Sequence, residues 1–89
     1  MTPRQEPKYI ARDGGIYNRA SGEGIPGDEP VFIFRARDTM AADALLHYYT
    51  ELRRIGNDAQ ADAVLKRLQD FQRFAREHGD RMKTPDTAL

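Results

Sequence analysis

The chain has 89 residues, of which 14 are Lys or Arg and 14 are Asp or Glu, so its formal net charge is zero. This length fits one small domain, and the balanced charge argues against a uniformly basic nucleic-acid binder and against a uniformly acidic DNA mimic. The chain has no cysteine, which removes disulfides and thiolate metal sites. Because it also lacks a membrane-length apolar run and a signal-peptide core, we expect a cytoplasmic protein with no membrane partner.

The first third of the chain predicts an arm, a hairpin and a loop. Residues 1–7 hold two prolines and no apolar pattern, which is typical of a flexible arm. Strands over 8–12 and 15–19 flank Asp13-Gly14, a pair that favours a type I′ turn because both central positions need positive φ. Residues 20–30 contain three glycines and two prolines and predict a loop.

A third strand is predicted from Val31 to Arg37, where β-branched and aromatic residues are frequent. Both of its faces begin with apolar residues, so we expect it to be central in the sheet or covered by a partner chain. Because side chains alternate across a strand, Arg35 and Arg37 would lie on one face.

The first predicted helix is capped by Asp38 or Thr39 and ends at Gly56, a residue suited to the left-handed position after a helix. Its apolar positions follow the spacing of a helix stripe, which predicts the side that faces the core. The stripe consists of Ala41, Leu45, Tyr48, Leu52 and Ile55.

The second predicted helix begins at Asn57 or Asp58, with Gln60 three residues after Asn57 as in a capping box, and stops at Gly79. The short connection between the helices requires an antiparallel hairpin. The apolar stripe of this helix consists of Ala61, Val64, Leu65, Leu68, Phe71 and Ala75.

These elements predict an α+β fold with the order βββαα: a three-stranded antiparallel sheet followed by an antiparallel two-helix hairpin. We expect one domain over residues 8–79 and a polar C-terminal tail over residues 80–89. Phe34 from the third strand and Leu68 from the second helix should both lie in the core.

The end of the third strand predicts an anion site. Arg35 and Arg37 stand just before a helix start, where free backbone N–H groups and the helix dipole favour negative charge. A phosphate or carboxylate could bind there, and the arginines that flank the hairpin turn would enlarge the basic face if the hairpin folds beside the third strand. The predicted ligand-binding residues are Arg35, Arg37, Asp38, Thr39, Arg12 and Arg19.

The same arginines have a simpler interpretation as ordinary surface ions. Asp38, Asp43 and Glu29 are close enough in sequence to pair with them, and each such pair would contribute little to stability.

Two adjacent tyrosines indicate a second apolar surface. Tyr48 and Tyr49 lie about 100° apart on a helix, so they cannot share a face. Tyr48 fits the core stripe, whereas Tyr49 joins Ala42 and Leu46 in a second strip. On the second helix, Phe74 widens the apolar stripe. This strip either packs inside the molecule or is an interface, for which we predict a homodimer or a larger homo-oligomer. The predicted interface residues are Leu46, Tyr49 and Phe74.

No catalytic pattern is recognisable. His47 and His78 lie on different predicted helices and lack a second ligand at metal spacing, and no hydroxyl residue has a base at a known spacing. The glycine loop over residues 21–24 lacks the lysine and hydroxyl ending of a phosphate loop. We therefore expect no enzymatic activity, no metal and no cofactor.

Residues 25–38 (IPGDEPVFIFRARD), with residues 81–86 (RMKTPD), resemble small uncharacterised proteins of bacterial genomes, phages and prophages. The resemblance implies an accessory protein that counters host defence. The function expected is a non-enzymatic binding protein that sequesters a small anionic ligand such as a nucleotide signal. The alternative is a protein–protein inhibitor of a host defence complex, of the anti-CRISPR type. A third possibility is a structural module without a ligand.

Overall fold

The structure is a computed structural model that describes residues 8–84. The chain divides into two compact units between Phe32 and Ile33. The first contains a β-hairpin, and we call it the hairpin unit; the second contains two helices, and we call it the helical unit. The predicted arm over residues 1–7 and the end of the predicted tail, residues 85–89, lie outside the described residues.

The hairpin is confirmed. β1 (Tyr9–Arg12) pairs antiparallel with β2 (Gly15–Asn18), and Arg12 lies opposite Gly15 next to the turn. The turn residues Asp13 and Gly14 have φ values of 48° and 77°, so both central positions are in the left-handed region that a type I′ turn requires.

The loop after the hairpin returns along β2. The Asn18 amide donates to the Glu23 carbonyl, and the Ile25 amide donates to the Ile16 carbonyl, each at 2.8 Å. Tyr17 is paired with Gly24 in an isolated antiparallel bridge. A Cβ at Gly24 would lie 3.1 Å from the Tyr17 ring, so the missing side chain allows this close approach.

The predicted third strand is wrong. The sheet of the described residues has two strands, β1 and β2, and residues 31–35 form no regular secondary structure. Phe34 is 42% exposed and is not a core residue. The fold is α+β, as predicted, but its three-stranded sheet is replaced by a two-stranded one. The loop is hydrogen-bonded to Ile16 and Asn18 along the outer edge of β2. That edge is therefore not open to residues 31–35.

The helical unit is an antiparallel pair joined by a short turn. α1 (Ala41–Arg54) ends at a left-handed Gly56, φ 82°, as predicted. α2 (Asp58–Glu77) is capped by Asn57, whose side chain accepts a hydrogen bond from the Gln60 amide. Neither described helix has the length and hydropathy needed to cross a membrane.

The buried side chains lie in the helical unit. The stripe predicted for α2 is confirmed at its centre, but the core side of α1 is rotated relative to the prediction. Tyr48 and Ile55 are 50% and 64% exposed, whereas Tyr49 packs against the cluster formed by α1 and α2. The buried hydrophobic residues of the described chain are Ala41, Leu52, Ala61, Val64 and Leu68.

The start of α1 also differs from the prediction. The residue before the helix is Met40, whose side chain makes no capping bond, rather than Asp38 or Thr39. Asp38 instead binds the residue before the helix, because its Oδ1 accepts a hydrogen bond from the Met40 amide at 2.7 Å. The Asp38 carboxylate thus fixes the turn that leads into the helix.

The first described part of the predicted tail is built onto the helical unit. α2 is followed by a 3-10 helix (Gly79–Arg81), and Lys83 then pairs with Asp38 in a parallel bridge. The Lys83 amide donates to the Arg37 carbonyl at 2.7 Å, and the Thr39 amide donates to the Lys83 carbonyl at 3.1 Å. These two bonds fasten the chain after α2 to the chain before α1.

Candidate functional site

The strongest candidate surface is the stretch Ile33–Arg37 at the start of the helical unit, which we call the apolar-basic segment. Ile33 is 75% exposed, the largest value among the exposed large hydrophobic residues, and Phe34 is also exposed. The preceding residue in the chain, Phe32, is 65% exposed. Large apolar side chains that follow one another in sequence and remain in solvent mark an interaction site more often than scattered ones do.

The backbone of this segment turns at its basic end. The Asp38 amide donates to the Arg35 carbonyl at 3.0 Å, which closes a turn over residues 35–38. The side-chain alternation of a strand therefore does not apply to Arg35 and Arg37, because both lie within a turn rather than along an extended strand.

The backbone amides predicted to bind an anion are used inside the chain. The Thr39 amide donates to Lys83 and the Ala41 amide to the Asp38 carbonyl, while the Met40 amide is bound by the Asp38 carboxylate. An anion at this corner would consequently depend on side chains, and it would meet the negative charge of Asp38.

Lys83 is a basic residue that the sequence did not place here. Its backbone lies between those of Arg37 and Thr39 in the parallel bridge with Asp38. The fold therefore brings the backbone of a third basic residue to the helix start. Its position in the predicted tail gave no periodic signal, and the only indication in the sequence was its inclusion in the stretch that carries the resemblance.

Arg35 and Arg37 form no ion pair with Asp38, Asp43 or Glu29, the described carboxylates that the simpler interpretation requires. Within residues 8–84, the ion pairs join other residues, and Arg35 and Arg37 take part in none of them. The ion pairs shown are Arg53–Asp58, Arg54–Glu51, Arg67–Asp70 and Arg73–Asp70.

Arg12 and Arg19 belong to the hairpin unit and are engaged within it. The guanidinium of Arg12 lies 4.8 Å from the centroid of the Tyr17 ring, a cation–π distance. The Arg19 Nε donates to the Tyr9 carbonyl at 3.1 Å. Both arginines thus stabilise the hairpin itself.

The three predicted interface residues have different surroundings. Leu46 is exposed on α1, whereas Tyr49 packs against the core cluster between the helices. The Phe74 ring lies 4.9 Å from the His78 ring and 4.8 Å from the Arg81 guanidinium. Of the three, Leu46 alone is exposed, and the self-association of the chain stays a prediction.

The described residues contain no cluster of three or more histidine, cysteine, aspartate or glutamate side chains that could hold a metal ion. His47 is exposed on α1, and His78 ends α2 against Phe74.

Comparisons with protein-family models, with curated proteins and with solved structures gave no match to this chain.

Proposed function

We propose that this chain is a non-enzymatic binding protein that docks on a partner protein through the apolar-basic segment. The observation that carries the proposal is the exposure of Ile33 and Phe34 directly before two arginines that take part in none of the described ion pairs. Aromatic and arginine side chains are frequent hot spots of protein interfaces. The partner that fits is a protein with an apolar groove bordered by carboxylates.

The attachment of the segment to the helices supports this role. The bonds between Lys83 and the flanking residues Arg37 and Thr39 fix the basic end of the segment to the helical unit. A fixed end reduces the conformational entropy lost when a partner binds. The resemblance of residues 25–38 makes a host defence protein the class of partner that we expect.

The test is affinity capture from host cells with the native chain as bait, followed by measurement of the dissociation constant of the captured protein. Ile33→Asp should weaken that complex by at least about tenfold, because a charge would enter the apolar groove. Leu46→Asp is the matched control, because it places the same charge at another exposed aliphatic residue. It should leave the affinity unchanged. Equal affinity for both variants and the native chain would contradict the proposal.

A second test asks whether Arg35 and Arg37 face carboxylates at the border of the partner's groove. Arg35→Glu and Arg37→Glu should each weaken the complex and make its affinity less dependent on salt, because ionic attraction is screened at higher ionic strength. A salt dependence identical to that of the native complex would show that the arginines do not face carboxylates.

A second candidate function is the sequestering of a small anion such as a nucleotide by side chains alone. It is favoured by Arg35 and Arg37, which take part in none of the described ion pairs, and by the bridge that brings the Lys83 backbone next to that of Arg37. Titration calorimetry with mono-, di- and cyclic nucleotides should then show binding that Arg35→Ala or Arg37→Ala weakens about tenfold. Absence of binding, or binding that survives both substitutions, would leave the partner protein as the single candidate.

A further inference from the structure

α1 carries a row of apolar side chains on the side that α2 does not cover. Met40, Ala44 and Tyr48 are spaced four residues apart and therefore form one ridge, which Ile55 continues two turns beyond Tyr48, with the half-buried Glu51 between these last two residues. Met40, Tyr48 and Ile55 are exposed, and Ala44 is half-buried. We call these four residues the α1 ridge.

Opposite charges lie beside the ridge at the two ends of the helix. Asp43 is in the first turn of α1 and Arg54 is its last residue, and both are exposed. Asp43 and Arg54 are eleven positions apart, which corresponds to about three helical turns, so the two side chains project on the same side of α1. Asp43 takes part in none of the ion pairs shown within residues 8–84, whereas the Arg54 Nε is paired with Glu51 of the same helix at 2.6 Å, and none of the ion pairs shown uses the terminal nitrogens of its guanidinium.

We propose that a second copy of this chain packs its α1 ridge against the first, antiparallel, about a two-fold axis near Tyr48. Asp43 lies five residues before Tyr48 and Arg54 lies six residues after it. An antiparallel pair centred on Tyr48 therefore places each Asp43 opposite Arg54 of the second copy, and the two-fold symmetry makes this pair twice. In a parallel pair Asp43 would instead lie about three helical turns from Arg54 of the second copy, so these charges would not meet.

The charge pattern selects a second copy as the partner because the ridge is complementary to itself. The helix dipoles of an antiparallel pair are also oppositely oriented, which favours the same arrangement. The ridge is separate from the apolar-basic segment, so this inference does not rest on the proposed function. It also differs from an interface at Leu46, Tyr49 and Phe74.

The first experiment measures self-association by sedimentation equilibrium at micromolar concentration. Tyr48→Glu should weaken dimerisation by at least about tenfold, since it places two carboxylates at the centre of the contact. Gln72→Glu adds the same charge at an exposed position of α2, away from the ridge and from the predicted interface residues, and should leave the dimer intact. Circular dichroism checks that both variants keep their helices.

The second experiment reverses the proposed charge pairs. Asp43→Arg and Arg54→Asp should each weaken the homodimer, and the double variant Asp43→Arg/Arg54→Asp should recover it. An equimolar mixture of the two single variants should form heterodimers, because every pair across the axis is again opposite in charge. A monomeric native chain, equal effects of Tyr48→Glu and Gln72→Glu, or no recovery in the double variant would overturn the proposal.

Discussion

At the scale of single residues, Gly56 shows how one backbone conformation ends a helix. Its φ of 82° is left-handed, and an added Cβ would meet no atom within 4 Å. Glycine is therefore favoured here by the backbone conformation and not by a lack of room for a side chain. A side chain at this position raises the energy of the left-handed conformation, which glycine adopts without that penalty.

We expect Gly56→Ala to lower the free energy of unfolding by about 1 kcal/mol, measured by urea denaturation with far-UV circular dichroism. Gly79→Ala is the matched control, because a Cβ there also meets open space and Gly79 is not among the residues with positive φ. Its free energy of unfolding should stay near that of the native chain. Equal losses in the two variants would contradict the backbone explanation.

Leu68 and Phe34, both predicted to be core residues, differ in the structure. Leu68 is buried on α2, while Phe34 is exposed. Leu68→Ala should cost about 2–5 kcal/mol, through lost burial and the cavity it leaves. Phe34→Ala should cost less than about 1 kcal/mol, as expected for a surface change. Thermal and urea unfolding of the two variants checks this, and a Phe34→Ala chain as unstable as Leu68→Ala would contradict the exposed position.

At the scale of elements, local signals predicted the pieces that depend on near neighbours. The Asp13-Gly14 turn closes the hairpin, and Asn57 caps α2, in each case through contacts within four residues. The predicted third strand is absent from the described residues, and the outer edge of β2 is hydrogen-bonded by the loop at Glu23–Ile25. Strand propensity in Val31–Phe34 could not reveal this hydrogen bonding.

The Asn57 cap provides a prediction for α2. Asn57→Ala removes the acceptor for the Gln60 amide and should lower the free energy of unfolding by about 1 kcal/mol. Asn57→Asp keeps an acceptor oxygen at the same position, so its stability should match the native chain to within a few tenths of a kcal/mol. The comparison is made by urea unfolding, and a neutral Asn57→Ala would show that the observed bond contributes nothing.

At the scale of the whole molecule, the boundary between the two units falls inside an exposed apolar stretch. Residues 31–35 form no helix or strand there, so their backbone is open to a protease. Phe71 and Phe74, in contrast, lie within the hydrogen-bonded backbone of α2.

Limited digestion with chymotrypsin should therefore cut first after Phe32 or Phe34, and only later after Phe71 or Phe74. Mass spectrometry of the early fragments identifies the sites. A first cut within α2 would mean that the helix opens more readily than the unit boundary. Protection of Phe32 and Phe34 by the captured partner would in addition locate its binding surface.

The sequence by itself determined the turn chemistry, the two amphipathic helices and their antiparallel connection, because these follow from φ requirements, capping and a 3.6-residue period. Tertiary structure decided which side of α1 faces α2, since Tyr48 and Tyr49 differ by one position and packing selected Tyr49. It also decided the candidate site, because the pairing of Lys83 with Asp38 joins residues 45 positions apart. Local propensity carries no information on such contacts, which depend on where the helical hairpin returns the chain.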